Sequence, residues 1–184
     1  MPRWSIAYAM LFMLAQGCGA HRMVQQEPRS SAPLPAPPKD RTLHGKIFKQ
    51  ALADAIRAAD RIEIVEHSSP FDFKPPRQNE PDLEYGSTQL DGATVAVFLA
   101  AADAMDDTTQ SMFLACVPAY HHSLRFYEAG QLASVMKICF ECSDIAWRRK
   151  NVINPQAVWP ILAETVKKAG FQPHREWRDL VKGR

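Results

Sequence analysis

The sequence predicts an α+β fold, a two-layer sandwich in which an antiparallel sheet of about four strands carries helices on one face. Three observations carry that expectation. Apolar residues recur at helical spacing in long segments near the start, middle and end of the folded part. Short alternating runs lie between those segments, and an Ala-Gly pair joins two of the runs with no room for a helical crossover. The chain has 184 residues, 46% hydrophobic and 23% charged, which suits one globular domain. A formal net charge of +2 does not match the plainly basic surface of a nucleic-acid binder, so no nucleic-acid partner is expected.

In chain order, Leu43, Ile47, Phe48, Ala51, Leu52, Ala55, Ile56 and Ala59 share one helical face. Lys46, Lys49, Asp54 and Arg57 occupy the other, which predicts an amphipathic helix ending near Asp60. Residues 61–66 (RIEIVE) alternate with period two and read as a strand. Residues 68–88 hold four prolines and no periodicity, and read as one long irregular loop. Residues 90–105 admit two readings, because 94–99 is rich in strand formers while the apolar run continues through Ala102 without a breaker. Its length favours a helix with Asp91 as N-cap.

Strands are expected at 111–117, stopped by Pro118, and at 121–128 and 131–140, the last two joined by a tight turn at Ala129-Gly130. Asn154-Pro155 opens a helix that Pro160 must kink or restart. Gly170 stands where a left-handed residue closes a helix. Phe171 can then pack back on Val166, with Lys167 and Lys168 at the negative helix end. A short helix is expected at 174–181.

The first forty residues carry an address. Arg3 supplies a positive start, and residues 4–15 (WSIAYAMLFMLA) form an apolar stretch followed by small residues around Cys18. Twelve residues at about 1.5 Å each reach roughly 18 Å, too short for a bilayer core of about 30 Å, which argues against a permanent transmembrane helix. Leu14-Ala15-Gln16-Gly17-Cys18 resembles the lipobox of bacterial lipoproteins, with Ala15 where that family prefers leucine. The resemblance implies cleavage after residue 17, acylation of Cys18 and attachment to the membrane through that lipid. Gly19 resembles the signal for outer-membrane sorting, so the expected location is the bacterial cell envelope, on the outer membrane facing the periplasm. An ordinary signal peptide cut after Ala20 is the alternative. Residues 28–38 hold five prolines, which favour extended polyproline conformation and cannot build a packed core. The expected organisation is a signal peptide at 1–17, a lipidated Pro-rich tether at 18–40 and a single domain at 41–184.

Three further cysteines, Cys116, Cys139 and Cys142, cluster in one region, and three readings compete for them. In an oxidising envelope two would pair and leave one buried thiol, with Cys116–Cys139 and Cys139–Cys142 both open. Alternatively Cys139-Phe-Glu-Cys142 has the spacing of a zinc knuckle, and Cys116 with His121 or His122 would complete four ligands. A redox-active CxxC is the third reading, although Ser143-Asp144-Ile145 opens a helix poorly and Ile138 stands where thioredoxin-like motifs carry tryptophan.

His121 and His122, adjacent on a strand, must point to opposite faces, one toward the core and one toward solvent. His67-Ser68-Ser69 invites a nucleophilic reading, but no glycine elbow surrounds either serine. Glu63, Glu66, Asp72, Glu80, Asp82 and Glu84 read as a solvated acidic surface. Charge is uneven: residues 41–146 carry nine basic and fifteen acidic side chains, and residues 147–184 carry nine and three.

No catalytic set stands out in the sequence. In size, lipid anchor and compact α+β domain the chain is similar to inhibitor and immunity lipoproteins of the periplasm. That likeness implies a small domain that binds a protein partner, such as a periplasmic hydrolase, without transferring any functional residue. The competing expectation is a metal- or thiol-dependent envelope protein centred on Cys116, Cys139, Cys142 and His122, with zinc as the metal. No other cofactor is expected.

Overall fold

In a computed structural model of the chain, the described residues are 41–76, 81–109, 115–147 and 153–182. They form five strands and four helices of an α+β fold, one strand more than expected. The helices are α1 (Arg41–Ala58), α2 (Gly92–Ala104), α3 (Val158–Lys168) and α4 (Trp177–Lys182). The strands are β1 (Arg61–His67), β2 (Glu84–Gln89), β3 (His122–Glu128), β4 (Gln131–Cys139) and β5 (Asp144–Ala146). They make one antiparallel sheet in the order β2-β1-β3-β4-β5.

Register decides what each face carries. Ile64, Leu124 and Met136 lie side by side across β1, β3 and β4, with Ile62, Phe126 and Ile138 on the same face. That face packs against Phe48, Leu52 and Ile56 of α1, Phe98 and Ala102 of α2, and Val158, Leu162 and Val166 of α3 in one hydrophobic core. Removing these side chains from water is the main stabilising contribution, about 1.5–3 kcal/mol for each fully buried large residue. The alternate residues, Glu63, Arg125 and Val135 among them, face the other way, where none of the three core-forming helices lies.

Local chemistry sets the boundaries. Asp91 accepts the Thr94 N–H at 2.6 Å and caps α2, so the segment with two readings is helical. Ala129 (φ 50°) and Gly130 (φ 74°) both adopt the left-handed region, the requirement of the two-residue turn that matches strand twist. Gly130 N–H also donates to Asp60 at 2.7 Å, tying the β3–β4 hairpin to the end of α1. Pro160 neither kinks nor restarts α3. It is the third residue of the helix, inside the first turn, where the missing N–H has no intrahelical partner to lose. At the far end, Gly170 (φ 89°) donates to the Lys167 carbonyl and Phe171 to the Val166 carbonyl, the paired bonds of a Schellman closure.

Two expected elements are corrected. The segment 68–88 is not one loop: it holds a 3₁₀ turn at Pro70–Asp72 and then β2. Strand β2 (EYGSTQ) lacks apolar alternation because it lies at the sheet edge, where the open backbone of β1 supplies the pairing. The strand expected at 111–117 is only partly assessable, since 111–114 lie outside the described residues. Residues 115–117 have no regular structure, and the edge beside β4 is taken by β5 instead. The last helix begins at Trp177, three residues later than expected.

Gly45 gives a direct test of this packing. It is buried in α1 beneath the chain at Asp107, and a Cβ there would fall onto the Asp107 carbonyl. Gly45→Ala should therefore lower stability by about 1–3 kcal/mol, although alanine is the better helix former by about 1 kcal/mol. A lower urea midpoint checks this, and an unchanged or higher midpoint contradicts the close approach.

Candidate functional site

The polar side chains gather at one end of the sheet, where β1 ends, β3 begins and β4 turns toward β5. Four histidines meet there, and three of them are buried (His67, His121 and His122), with Glu66 and Asp72 also inaccessible. The sequence separates these residues widely. Only the antiparallel register, which sets Glu66 opposite His122 and Val65 opposite Ser123, brings them together.

On the core side, Glu66 accepts a hydrogen bond from Arg175 at 2.6 Å, and its second oxygen lies 3.8 Å from His122 Nε2. Burial raises the Glu66 pKa against the opposing pull of Arg175. The His122 ring meets Phe140 and Trp177 edge-on, each at 5.4 Å between centroids. Burial, with the charges of His121 and His67, lowers its pKa to about 3. His121 Nε2 lies 3.0 Å from Asp72, and its ring is stacked under the Trp177 indole at 4.2 Å. The expectation that one of the two histidines faces solvent is thus corrected. Both are buried, because α4 and the 3₁₀ turn cover the side that a bare strand would expose.

On the opposite side, His67 Nδ1 lies 2.9 Å from the Ser68 carbonyl, an acceptor only, so Nδ1 carries the proton. Nε2 is then free to accept from the Ser123 hydroxyl at 2.7 Å. Asp82 stands 3.6 Å from the same Nδ1 and also pairs with Lys137 at 3.0 Å. Burial lowers the His67 pKa, which keeps this ring a neutral acceptor. Ser68 and Ser69, beside His67 in sequence, serve the backbone instead. Ser68 Oγ accepts from Leu83 N–H, and Ser69 with Asp72 forms the capping box of the 3₁₀ turn. The serine that meets His67 is 56 residues away, and the sequence offered no local signal for it.

Cys116 and Cys142 form a disulfide with Cα atoms 5.7 Å apart, leaving Cys139 as a buried free thiol. One pair and one thiol was the structural reading, but neither named pairing is the one formed. Cys139 is fully buried at the end of β4, and its sulfur accepts from Cys142 N–H at 3.4 Å. Burial pushes the Cys139 thiol up, which disfavours the thiolate needed for exchange or metal binding. With two sulfurs joined to each other, the three-thiolate set is not available to one ion. Among the described residues no three His, Cys, Asp or Glu side chains are arranged to hold a metal. Cys18 lies outside the described residues. Of the three clustered cysteines, none is expected to react with maleimide in the folded chain. Only Cys139 should react after unfolding without reductant, and labelling of Cys116 by mass spectrometry would contradict the pairing.

The solvated acidic surface expected of Glu63, Glu66, Asp72, Glu80, Asp82 and Glu84 is corrected in part. Glu66 and Asp72 are buried against Arg175 and His121, Asp82 is half-buried beside His67 and Lys137, and Glu80 lies outside the described residues. Part-exposed polar side chains lie instead on the outer sheet face, away from its covered end at Val65 and Ser123. The Arg61 guanidinium sits 3.6 Å over the Tyr127 ring, Tyr127 Oη donates to Glu63 at 3.0 Å, and Arg125 reaches Glu63 at 3.6 Å and Glu84 at 3.1 Å. Leu132, 52% exposed, lies beside Tyr127 on β4. No family model, curated protein or solved structure matches this chain.

Proposed function

We propose that the chain is a cell-envelope lipoprotein whose domain binds a protein partner through the open face of the sheet, acting as an inhibitor or immunity protein against a periplasmic hydrolase. The observation that carries this reading is the interlocked set Arg61, Tyr127, Glu63, Arg125 and Glu84 on that face. Arginine and tyrosine are the residue types that dominate binding energy at protein interfaces. Side chains already held in place lose less conformational freedom on association. The lipobox-like Leu14–Cys18, the Pro-rich segment and the Cys116–Cys142 disulfide support an oxidising envelope as the compartment. The net acidic body from 41 to 146 would steer a cationic enzyme toward the domain.

The test is affinity capture from envelope extract with the full chain in detergent, followed by an activity assay on whatever hydrolase is retained. A specific secreted hydrolase that loses activity when bound supports the reading. Recovery of no enzyme, or of one whose activity is unaffected, overturns it.

The Ser123–His67 contact favours a second reading, a hydrolase in which His67 Nε2 draws the proton from Ser123. Both residues are buried, Ser123 at 4% exposure and His67 at 5%, so a substrate would need the Asp82–Lys137 pair to move aside. A fluorophosphonate probe separates the two readings. Labelling of Ser123 would establish the second, and an unlabelled serine would leave the first.

A further inference from the structure

Residues 172–182 return over the polar end of the sheet, where His174 meets the Phe140 ring edge-on and where His174, Arg175 and Trp177 reach histidines or carboxylates. Arg175 is bonded to Glu66, and Trp177 stacks on His121 and stands edge-on to His122. The Trp177 indole N–H donates to Glu141 at 3.1 Å, and His174 Nδ1 lies 3.7 Å from the same oxygen. Trp177 is itself buried, but it lies outside the hydrophobic core that unites the sheet with α1, α2 and α3.

We propose that this segment is an acid-released clasp: proton uptake by His122 beneath it detaches Arg175 and Trp177 from the sheet end and leaves the sheet and the core helices in place.

The geometry explains why His122 is the trigger. The ring is 1% exposed. The titratable and charged groups around it are Glu66 and His67 from β1, His121 ahead of β3, Asp72 from the 3₁₀ turn, Glu141 from the β4–β5 turn, and His174 and Arg175 from the segment itself. The nearest carboxylate is Glu66, and its other oxygen already holds Arg175. An imidazolium at His122 therefore competes with Arg175 for one buried carboxylate, so the proton that makes burial of the ring costly also loosens the strongest anchor of the clasp. Trp177 loses at the same time a neutral ring on one of its sides.

Lifting the segment lets water reach His122, whose pKa then rises from about 3 toward the ordinary value of 6.5. The protonated ring is favoured in the detached state, so detachment grows as pH falls below about 6.5 and is absent above it. At pH 5 the His122 shift taken alone favours the detached form by up to about 30-fold relative to pH 8, and the raised Glu66 pKa, which favours the closed form as pH falls, offsets part of it.

Amide hydrogen exchange on the full chain at pH 8 and pH 5, corrected for intrinsic rates, reads this directly. Protection of 172–182 should fall at pH 5, by up to about 30-fold, while β3 and β4 keep theirs. His122→Phe keeps an aromatic ring against Phe140 and Trp177 but cannot titrate, and its segment should stay protected at pH 5. If that variant does not fold, His122→Gln carries the same test. The proposal is overturned by unchanged wild-type protection at pH 5, by an equal loss across β3, or by a non-titrating variant that releases as the wild type does.

Discussion

Arg175→Ala should lower the stability of the domain by about 1–3 kcal/mol at pH 8. The substitution removes a partly exposed side chain but strands Glu66, whose carboxylate is 3% exposed and takes its short hydrogen bond from that guanidinium. Burial already raises the Glu66 pKa, and removing Arg175 takes away the interaction that opposes the rise. A carboxylate with a raised folded-state pKa favours folding below its unfolded value and loses that contribution as pH climbs through the folded one. The deficit of the variant relative to the wild type is therefore full at pH 8 and narrows as the pH falls. Adding Glu66→Gln should recover most of the loss, because a neutral amide needs no cation. Urea unfolding of the wild type, Arg175→Ala, Glu66→Gln and the double variant at several pH values checks this. A deficit that ignores pH, or a double variant no more stable than Arg175→Ala, would place the effect elsewhere.

The second large effect concerns the disulfide. Cys116 and Cys142 close a loop with a sequence separation of 26, which in the chain-entropy account corresponds to about 3.5 kcal/mol. Cys116→Ala/Cys142→Ala should lose roughly that amount, and reductant should bring the wild type down to the same level. Cys139→Ala removes one buried thiol and should cost much less, with reductant still lowering its stability. The bridge ties the chain ahead of β3 to the β4–β5 turn, and Glu141 in that turn holds Trp177. The double variant should also weaken the clasp. Equal losses in the double variant and in Cys139→Ala would contradict the pairing.

The elements that declared themselves in the sequence are those whose signal is local. The amphipathic stripe around Phe48 and Leu52, the capping aspartate at 91, the Ala129-Gly130 turn and the Gly170 closure each depend on residues within a few positions. All four are present as read. β2 and β5 were not legible, because a polar six-residue run and a three-residue run pair only when a neighbouring strand offers its edge. The candidate sites divide in the same way. The cysteine cluster was visible as a cluster, but its pairing depends on where the chain around Pro118 passes the β4–β5 turn. His121 and His122 were visible as a pair, yet their burial depends on Trp177 and Asp72, far off in sequence. The Ser123–His67 contact and the Arg61–Tyr127 stack follow from strand register, which periodicity alone does not fix.

Paired captures from envelope extract test whether the outer sheet face is the binding surface. Arg125→Glu reverses a charge in the middle of that face, where the side chain is 32% exposed. Val97→Asp alters a more accessible position, 50% exposed, on α2. Arg125→Glu should abolish retention of the hydrolase, while Val97→Asp and the wild type retain it equally. Full retention by Arg125→Glu, with loss in Val97→Asp, would contradict it.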